Sequence, residues 1–235
     1  MTKPYRLHFA PDNASLVIRL ALEEMQLPYQ TVLVDRTKAM QRSADYLALN
    51  PNGLIPVLET PDGPMFETGA ILLWLSDRHN ALAPAIGSRD RVPYLKWLFS
   101  VSNTLHADLR LLFYPHLYIG DDAASQAKLQ HGLQARLRHH LAVLDEVASA
   151  EPKWLRPEQP TGLCYYLACL LRWTALYPKA MDHSWFDLTA LPHLHRLCEG
   201  LEPRPAVVAA QASEGLGPTP FTAPAYAAPP EGSAT

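Results

Sequence analysis

Residues 49–59 read LNPNGLIPVLE. Asn50-Pro51-Asn52-Gly53 is a strong turn signal, because Asn and Gly tolerate left-handed backbone and Pro fixes its own φ. Val57-Leu58-Glu59 is strand-prone and runs into a second turn, Thr60-Pro61-Asp62-Gly63. With Pro64-Met65-Phe66 it forms a predicted β-hairpin. Thr68 then caps an apolar helix, GAILLWLSD. Upstream, residues 6–9 form a short β-prone run that stops at Ala10-Pro11-Asp12-Asn13. Residues 15–25 turn helical, with an apolar flank set against a polar stripe of Ser15, Arg19, Glu23 and Gln26. Leu27-Pro28 ends that helix, 29–34 (YQTVLV) make a second strand, and 43–49 a short helix. The order is β-α-β-α-β-β-α over residues 1–79.

The pattern changes after His79. Residues 80–91 carry Pro, Gly and charge and read as a linker. From 92 to 215 the chain reads helical throughout. Leu129, Leu133, Leu137, Leu141 and Leu144 mark one face of a long helix. A second begins at Thr161, and prolines at 192 and 205 stand at helix starts. Residues 216–235 (LGPTPFTAPAYAAPPEGSAT) have no periodicity and are predicted to be a tail, extended or lying on the surface, with little bearing on stability.

Composition narrows the function. The 235 residues are 48% hydrophobic and 18% charged, with a net charge of −3, so a globular core is expected and no basic field invites nucleic acid. No apolar run reaches the ~18–20 residues that span a bilayer, and the start, MTKPYRLHF, has no apolar signal core. Three cysteines, Cys164, Cys169 and Cys198, lack zinc-finger spacing and point to a reducing, cytoplasmic setting. His139-His140 are adjacent and cannot chelate from one helix face, and His193 and His195 merely flank Leu194 near a helix start, so no metal site is expected.

Three stretches carry a family resemblance: LNPNGLIPVLE (49–59), ETGAILLWL (67–75) and LEPRPAVVAAQASEGL (201–216). The chain resembles the glutathione transferase family over residues 5–215. The resemblance implies an α/β thioredoxin-like N-terminal domain followed by an all-α helical C-terminal domain. It also implies that glutathione is the co-substrate. In the family, the proline at Pro56 would be cis, leaving the Ile55 backbone to pair with bound glutathione. Glu67 would take the ammonium of the γ-glutamyl head. Thr68, at a helix start where free N–H groups favour anions, would take its carboxylate.

The opening APDNASLVIRLALEE is similar to the SPGACSL-type opening of bacterial members, but Ala14 stands where they place a cysteine. The protein then has to lower the pKa of the glutathione thiol by a hydrogen bond. A free thiol titrates near ~8.5. Two units of lowering require ~2.7 kcal/mol. One hydrogen bond to a charged acceptor supplies ~1.5–3 kcal/mol. Ser15 and Asn13 are the two candidates for that catalytic donor. Leu54 replaces a polar residue that many relatives use on the glycine end, which leaves Arg36, Lys38 or Arg42 to reach it. For the second substrate, His106, Arg110, Phe113, Tyr114 and Tyr166 are the candidate pocket residues. Thr161 lies at the family's helix-capping box, with Cys164 in place of its acidic residue.

The resemblance implies an enzyme that transfers glutathione thiolate to a small apolar electrophile, working as a two-fold homodimer with no nucleic-acid or membrane partner. Two other readings share the fold. One is a non-catalytic glutathione- or ligand-binding protein. The other is a glutathione-dependent isomerase, lyase or peroxidase.

Overall fold

The computed structural model describes residues 4–234. Its N-terminal part is β1 (Tyr5–Phe9), α1 (Ser15–Glu24), β2 (Tyr29–Leu33), α2 (Ala44–Leu49), β3 (Val57–Thr60), β4 (Gly63–Phe66) and α3 (Thr68–His79). The four strands form one mixed sheet in the order β2-β1-β3-β4. β1 runs parallel to β2, pairing Tyr5 with Tyr29 and Phe9 with Leu33, and antiparallel to β3, pairing Arg6 with Glu59. β3 and β4 form the hairpin expected from the Thr60-Pro61-Asp62-Gly63 turn. Leu7, Phe9 and Leu58 on the sheet and Leu16, Ile18, Leu20 and Leu22 on α1 are fully buried in one core. The alternation of β-prone and helical runs was enough to place every one of these elements.

The remainder is helical: α4 (Arg91–Ser100), α5 (His106–Phe113), α6 (His116–Ile119), α7 (Ala123–Ser149), α8 (Gly162–Leu176), α9 (Pro192–Leu201) and α10 (Pro205–Glu214). This is the thioredoxin-like domain followed by an all-α domain that the sequence led us to expect. Between α4 and α5, Val101–Leu105 forms a π-helical stretch, a wider turn that re-aims the side chains following it. The helical reading of residues 92–215 gave no sign of this wider turn. α8 is buried along almost its whole length, including the charged Arg172. Its start is closed by sulfur: the Thr161 N–H donates to Cys164 Sγ at 3.4 Å, and the Thr161 hydroxyl donates to the Trp154 carbonyl at 2.9 Å. Among the described residues no helix is long and apolar enough to cross a membrane.

Two expectations are corrected. The first concerns the polar stripe on α1. Ser15 and Arg19 are buried, and Arg19 Nε meets Glu214 Oε1 of α10 at 2.6 Å. The stripe faces another helix because a buried carboxylate waits there.

The second concerns the tail, which is no loose appendage. Leu216 and Phe221 are fully buried. Glu202 accepts hydrogen bonds from the Phe221 and Thr222 N–H groups at 2.9 and 2.8 Å. The Arg172 guanidinium donates to the carbonyls of Leu216, Pro220 and Ala225 at 3.3, 3.0 and 2.9 Å. Gly215 makes the turn possible: its φ is +64°, and a Cβ there would lie 2.0 Å from the Ala228 carbonyl oxygen. Backbone carbonyls gathered on one buried cation, together with the buried Leu216 and Phe221, order the segment.

Candidate functional site

The sheet's helix-start loops and the first helical segments enclose a cavity of about 790 Å³. On the N-terminal side it is lined by Asp12-Asn13-Ala14, by Arg36, Gln41 and Arg42, by residues 53–56, and by Glu67-Thr68. On the helical side it is lined by Ser102, His106, Arg110, Phe113, Tyr114, Tyr166, Trp173 and Tyr177.

The loop before β3 is held rigidly. The Leu54 carbonyl accepts from Tyr46 Oη and from Asn50 Nδ2, each at 2.8 Å, and Asn50 Oδ1 accepts from the Asn52 N–H at 3.0 Å. Gly53 has φ +62°, and a Cβ there would sit 2.8 Å from the Gln41 carbonyl oxygen. The Ile55–Pro56 peptide is cis, as expected, and both residues line the cavity. A second cis peptide, Tyr177–Pro178, borders the opposite wall and was not anticipated.

At the start of α3, Glu67 occupies the residue before the helix with φ +73°, and Thr68 is the first helical residue. The expected capping by Thr68 is therefore corrected: the cap position belongs to Glu67, whose side chain makes no capping bond. Thr68 is buried and lines the cavity with Ser102 and Tyr166 of the helical wall. The Tyr166 hydroxyl lies 2.7 Å from His106 Nδ1. Burial holds the Tyr166 phenol well above its ordinary range, so it stays protonated. Burial, with nearby Arg110 adding to it, pushes the His106 imidazolium down to about 4. His106 is thus a neutral wall residue at physiological pH.

The two donor candidates at the start of α1 separate cleanly. Asn13 lines the cavity, and its Oδ1 accepts from the Ala14 N–H at 2.8 Å, which turns the amide NH₂ away from that bond. Ser15 is fully buried and does not line the cavity. Its hydroxyl donates to the Ala10 carbonyl at 3.0 Å and accepts from the Ala10 N–H at 3.3 Å. The structure corrects the Ser15 expectation: one residue into the helix, the side chain has already rotated into the core. Tyr165 likewise points away from the cavity, bonding Glu24 at 2.5 Å.

Sequence reasoning missed what supports Asn13. Asp12 has φ +48° and a fully buried carboxylate. That carboxylate accepts from Arg172 Nε at 2.8 Å, Arg172 Nη2 at 2.9 Å, Trp173 Nε1 at 2.9 Å and Tyr177 Oη at 2.7 Å. The Asp12 N–H donates to Glu214 Oε2 at 2.7 Å. Burial pushes the Glu214 carboxyl up to about 6, against the opposing pull of Arg19. The loop that carries Asn13 is pinned to α8 and α10 by charge-assisted bonds.

Two buried polar atoms also face the cavity region without a partner among the described residues: Arg36 Nη1 and Gln41 Oε1. Arg36 Nη2 donates to Tyr114 Oη at 3.0 Å. Lys38 is turned away, pairing with Asp35 at 3.0 Å. Among the described residues no group of three or more His, Cys, Asp or Glu side chains is placed to hold a metal ion.

Comparison with known proteins places this architecture. Residues 14–78 match the family profile "Glutathione S-transferase, N-terminal domain". The chain is 28% identical to "Glutathione S-transferase GST-4.5" of Xanthomonas campestris pv. campestris, over 90% of this chain and 99% of that protein. It is 37% identical to "Disulfide-bond oxidoreductase YfcG" of Escherichia coli over a shorter stretch, 40% of this chain and 46% of the relative. The solved structure of a sphingomonad glutathione S-transferase complexed with glutathione superposes with a TM-score of 0.72 at 29% identity, covering 90% of this chain and all of its own (100%). Residues 14–78 thus match a glutathione S-transferase N-terminal domain, and the chain is similar from end to end, in sequence and architecture, to bacterial glutathione transferases.

Proposed function

We propose that the protein is a glutathione transferase that binds glutathione in this cavity and transfers its sulfur to an electrophile. One observation carries the reading: the cis Ile55–Pro56 loop, the Glu67-Thr68 helix start and the Asn13 amide all border one cavity. Ile55 offers its backbone to the peptide, Glu67 its carboxylate to the ammonium, and Thr68 with the start of α3 a place for the γ-glutamyl carboxylate. Arg36 and Arg42 line the same cavity as Gly53 and Leu54 and supply the charge for the glycine end that Leu54 lacks.

The chemistry follows from the thiol. The thiol proton leaves for solvent, and the Asn13 amide stabilises the thiolate at the head of α1. The sulfur forms a bond to the electrophilic carbon, and the leaving group departs with its electron pair. Calorimetric titration with glutathione, followed by turnover of 1-chloro-2,4-dinitrobenzene, tests the reading. Saturable binding with turnover above the solution rate is expected. Neither binding nor turnover would sink it.

A second reading, glutathione-dependent disulfide reduction, is favoured by the similarity to YfcG. All three cysteines are buried, so all three sulfurs of the exchange would come from ligands. A glutathione thiolate would attack a bound disulfide, making a new disulfide and releasing a thiolate. Turnover of 2-hydroxyethyl disulfide without conjugation of the aryl chloride selects this reading. A homodimer belongs to the same proposal. The exposed apolar side chains Val92 and Phe99 on α4 and Val143 on α7 support it. A light-scattering mass near one chain would refute it.

A further inference from the structure

The charges around the cavity do not balance. Its lining carries four cations, Arg36, Arg42, Arg110 and Lys179, and two carboxylates, Asp12 and Glu67. Asp12 is already matched to Arg172, with neither side chain exposed. None of the four cations is ion-paired among the described residues. Glutathione, bound as proposed above, uses Glu67 for its ammonium and Arg36 or Arg42 for its glycine end. Arg110 and Lys179 then remain, both on the helical wall where the second substrate must sit.

Arg110 is held in place. Its Nε donates to Tyr118 Oη at 2.9 Å, and its guanidinium lies 5.7 Å from the centre of the Tyr114 ring. His106, one turn earlier on α5, adds no charge there, so the positive potential of this wall comes from Arg110 and Lys179. Beside it lie three rings: Phe113 is 6.4 Å from Tyr114 and 6.4 Å from Tyr177, centre to centre. Lys179 follows Tyr177 by two residues and has its ammonium 5.0 Å from the Tyr226 ring. An aromatic slot with a fixed guanidinium at its edge is a receptor for an aromatic anion. A neutral apolar molecule would bury next to a cation whose charge it cannot match.

We propose that the second substrate is an aromatic electrophile carrying an anionic group such as a carboxylate. Its ring lies among Phe113, Tyr114 and Tyr177, and its anion on Arg110 with Lys179 beside it. This rests on the reading of the cavity as a glutathione site, and it replaces the apolar electrophile expected from the resemblance. The bond changes are those already given: sulfur bonds to the carbon that loses its leaving group, and the anionic substituent is a handle, not a reactant.

Direct binding of two conjugates tests the proposal without turnover: S-benzylglutathione and S-(4-carboxybenzyl)glutathione, titrated calorimetrically into the intact protein. The carboxylated ligand is expected to bind about tenfold more tightly, as one charge-assisted hydrogen bond allows. Arg110→Gln should remove most of that preference while S-benzylglutathione binding persists, and Arg110→Lys should restore part of it. Lys179→Gln should reduce the preference by a smaller factor. Equal binding of the two ligands would overturn the proposal and leave the glutathione reading standing. A tenfold preference untouched by either glutamine variant would overturn the assignment to this wall. If neither ligand binds, the glutathione reading fails and this inference fails with it.

Discussion

Arg172 on α8 clasps Asp12 with two parallel bonds, Nε to Oδ1 at 2.8 Å and Nη2 to Oδ2 at 2.9 Å, and neither side chain reaches solvent. The two residues lie 160 positions apart in sequence, and they join the loop bearing Asn13 to the helical domain. A buried pair of this kind is costly to break, because the surviving charge has nowhere to go. Asp12→Ala should therefore destabilise the protein by about 3–5 kcal/mol. Urea unfolding followed by circular dichroism checks this, and a loss below about 1 kcal/mol would mean that Arg172 finds its acceptors elsewhere.

Asn13 and Ser15 should behave oppositely. Asn13→Ala removes the proposed thiolate donor and should raise the pKa of bound glutathione by about one unit, equivalent to ~1.4 kcal/mol. The ultraviolet absorbance of the thiolate, titrated in the binary complex, reports it directly. Ser15→Ala leaves the Ala10 N–H and carbonyl without their partner and should cost about 1–3 kcal/mol of stability with the thiol pKa unmoved. A pKa shift in the serine variant would return the donor role to Ser15.

His106 should impose a pH dependence on stability. Its folded-state pKa is pushed down to about 4 from 6.5, so the unfolded chain binds the extra proton first. Its penalty is absent above 6.5 and grows as pH falls towards 4, with an upper bound of about 3 kcal/mol. Unfolding free energies across that window should slope downward with acid, and His106→Gln should flatten the slope. An unchanged slope would show that the imidazole accepts a proton in place.

Removing residues 217–235 should destabilise the protein by at least about 3 kcal/mol. The truncation strips Arg172 of the Pro220 and Ala225 carbonyls and uncovers the pocket of Phe221. Hydrogen bonds to a charged group contribute ~1.5–3 kcal/mol each, and a buried aromatic a similar amount. Chemical denaturation of the truncated chain would show a loss near zero if the tail merely rests on the surface.

Local patterns explain how much was legible. The hairpin and α3 are written in consecutive residues, because turns and helix starts are short-range chemistry. The cis form of Pro56 was implied by the family resemblance. What escaped was long-range. Nothing near Asp12 announces Arg172, and nothing near Arg19 announces Glu214. Arg172 sits in a stretch, CYYLACLLRWTALY, whose apolar character hides that its one cation is the keystone. Ser15 against Asn13 was undecidable from composition, since two positions separate a loop residue on the cavity wall from a helix residue in the core. The tail was misread because much of its order comes from backbone carbonyls held by a distant cation, which leave no periodicity.

The clasp between Arg172 and Asp12 also has a temporal meaning. The ribosome delivers the sheet and α1 long before α8, and the carbonyls that complete the coordination of Arg172 come later still. A nascent chain therefore carries an Asp12 carboxylate without its Arg172 partner for most of its synthesis, and the loop bearing Asn13 is set only when residues 216–225 arrive. Any message cut short between α8 and that point yields a product with an intact N-terminal domain in sequence and an unfinished one in structure. Such fragments are expected to be recognised as unfolded and degraded, so that only the finished chain carries a formed site.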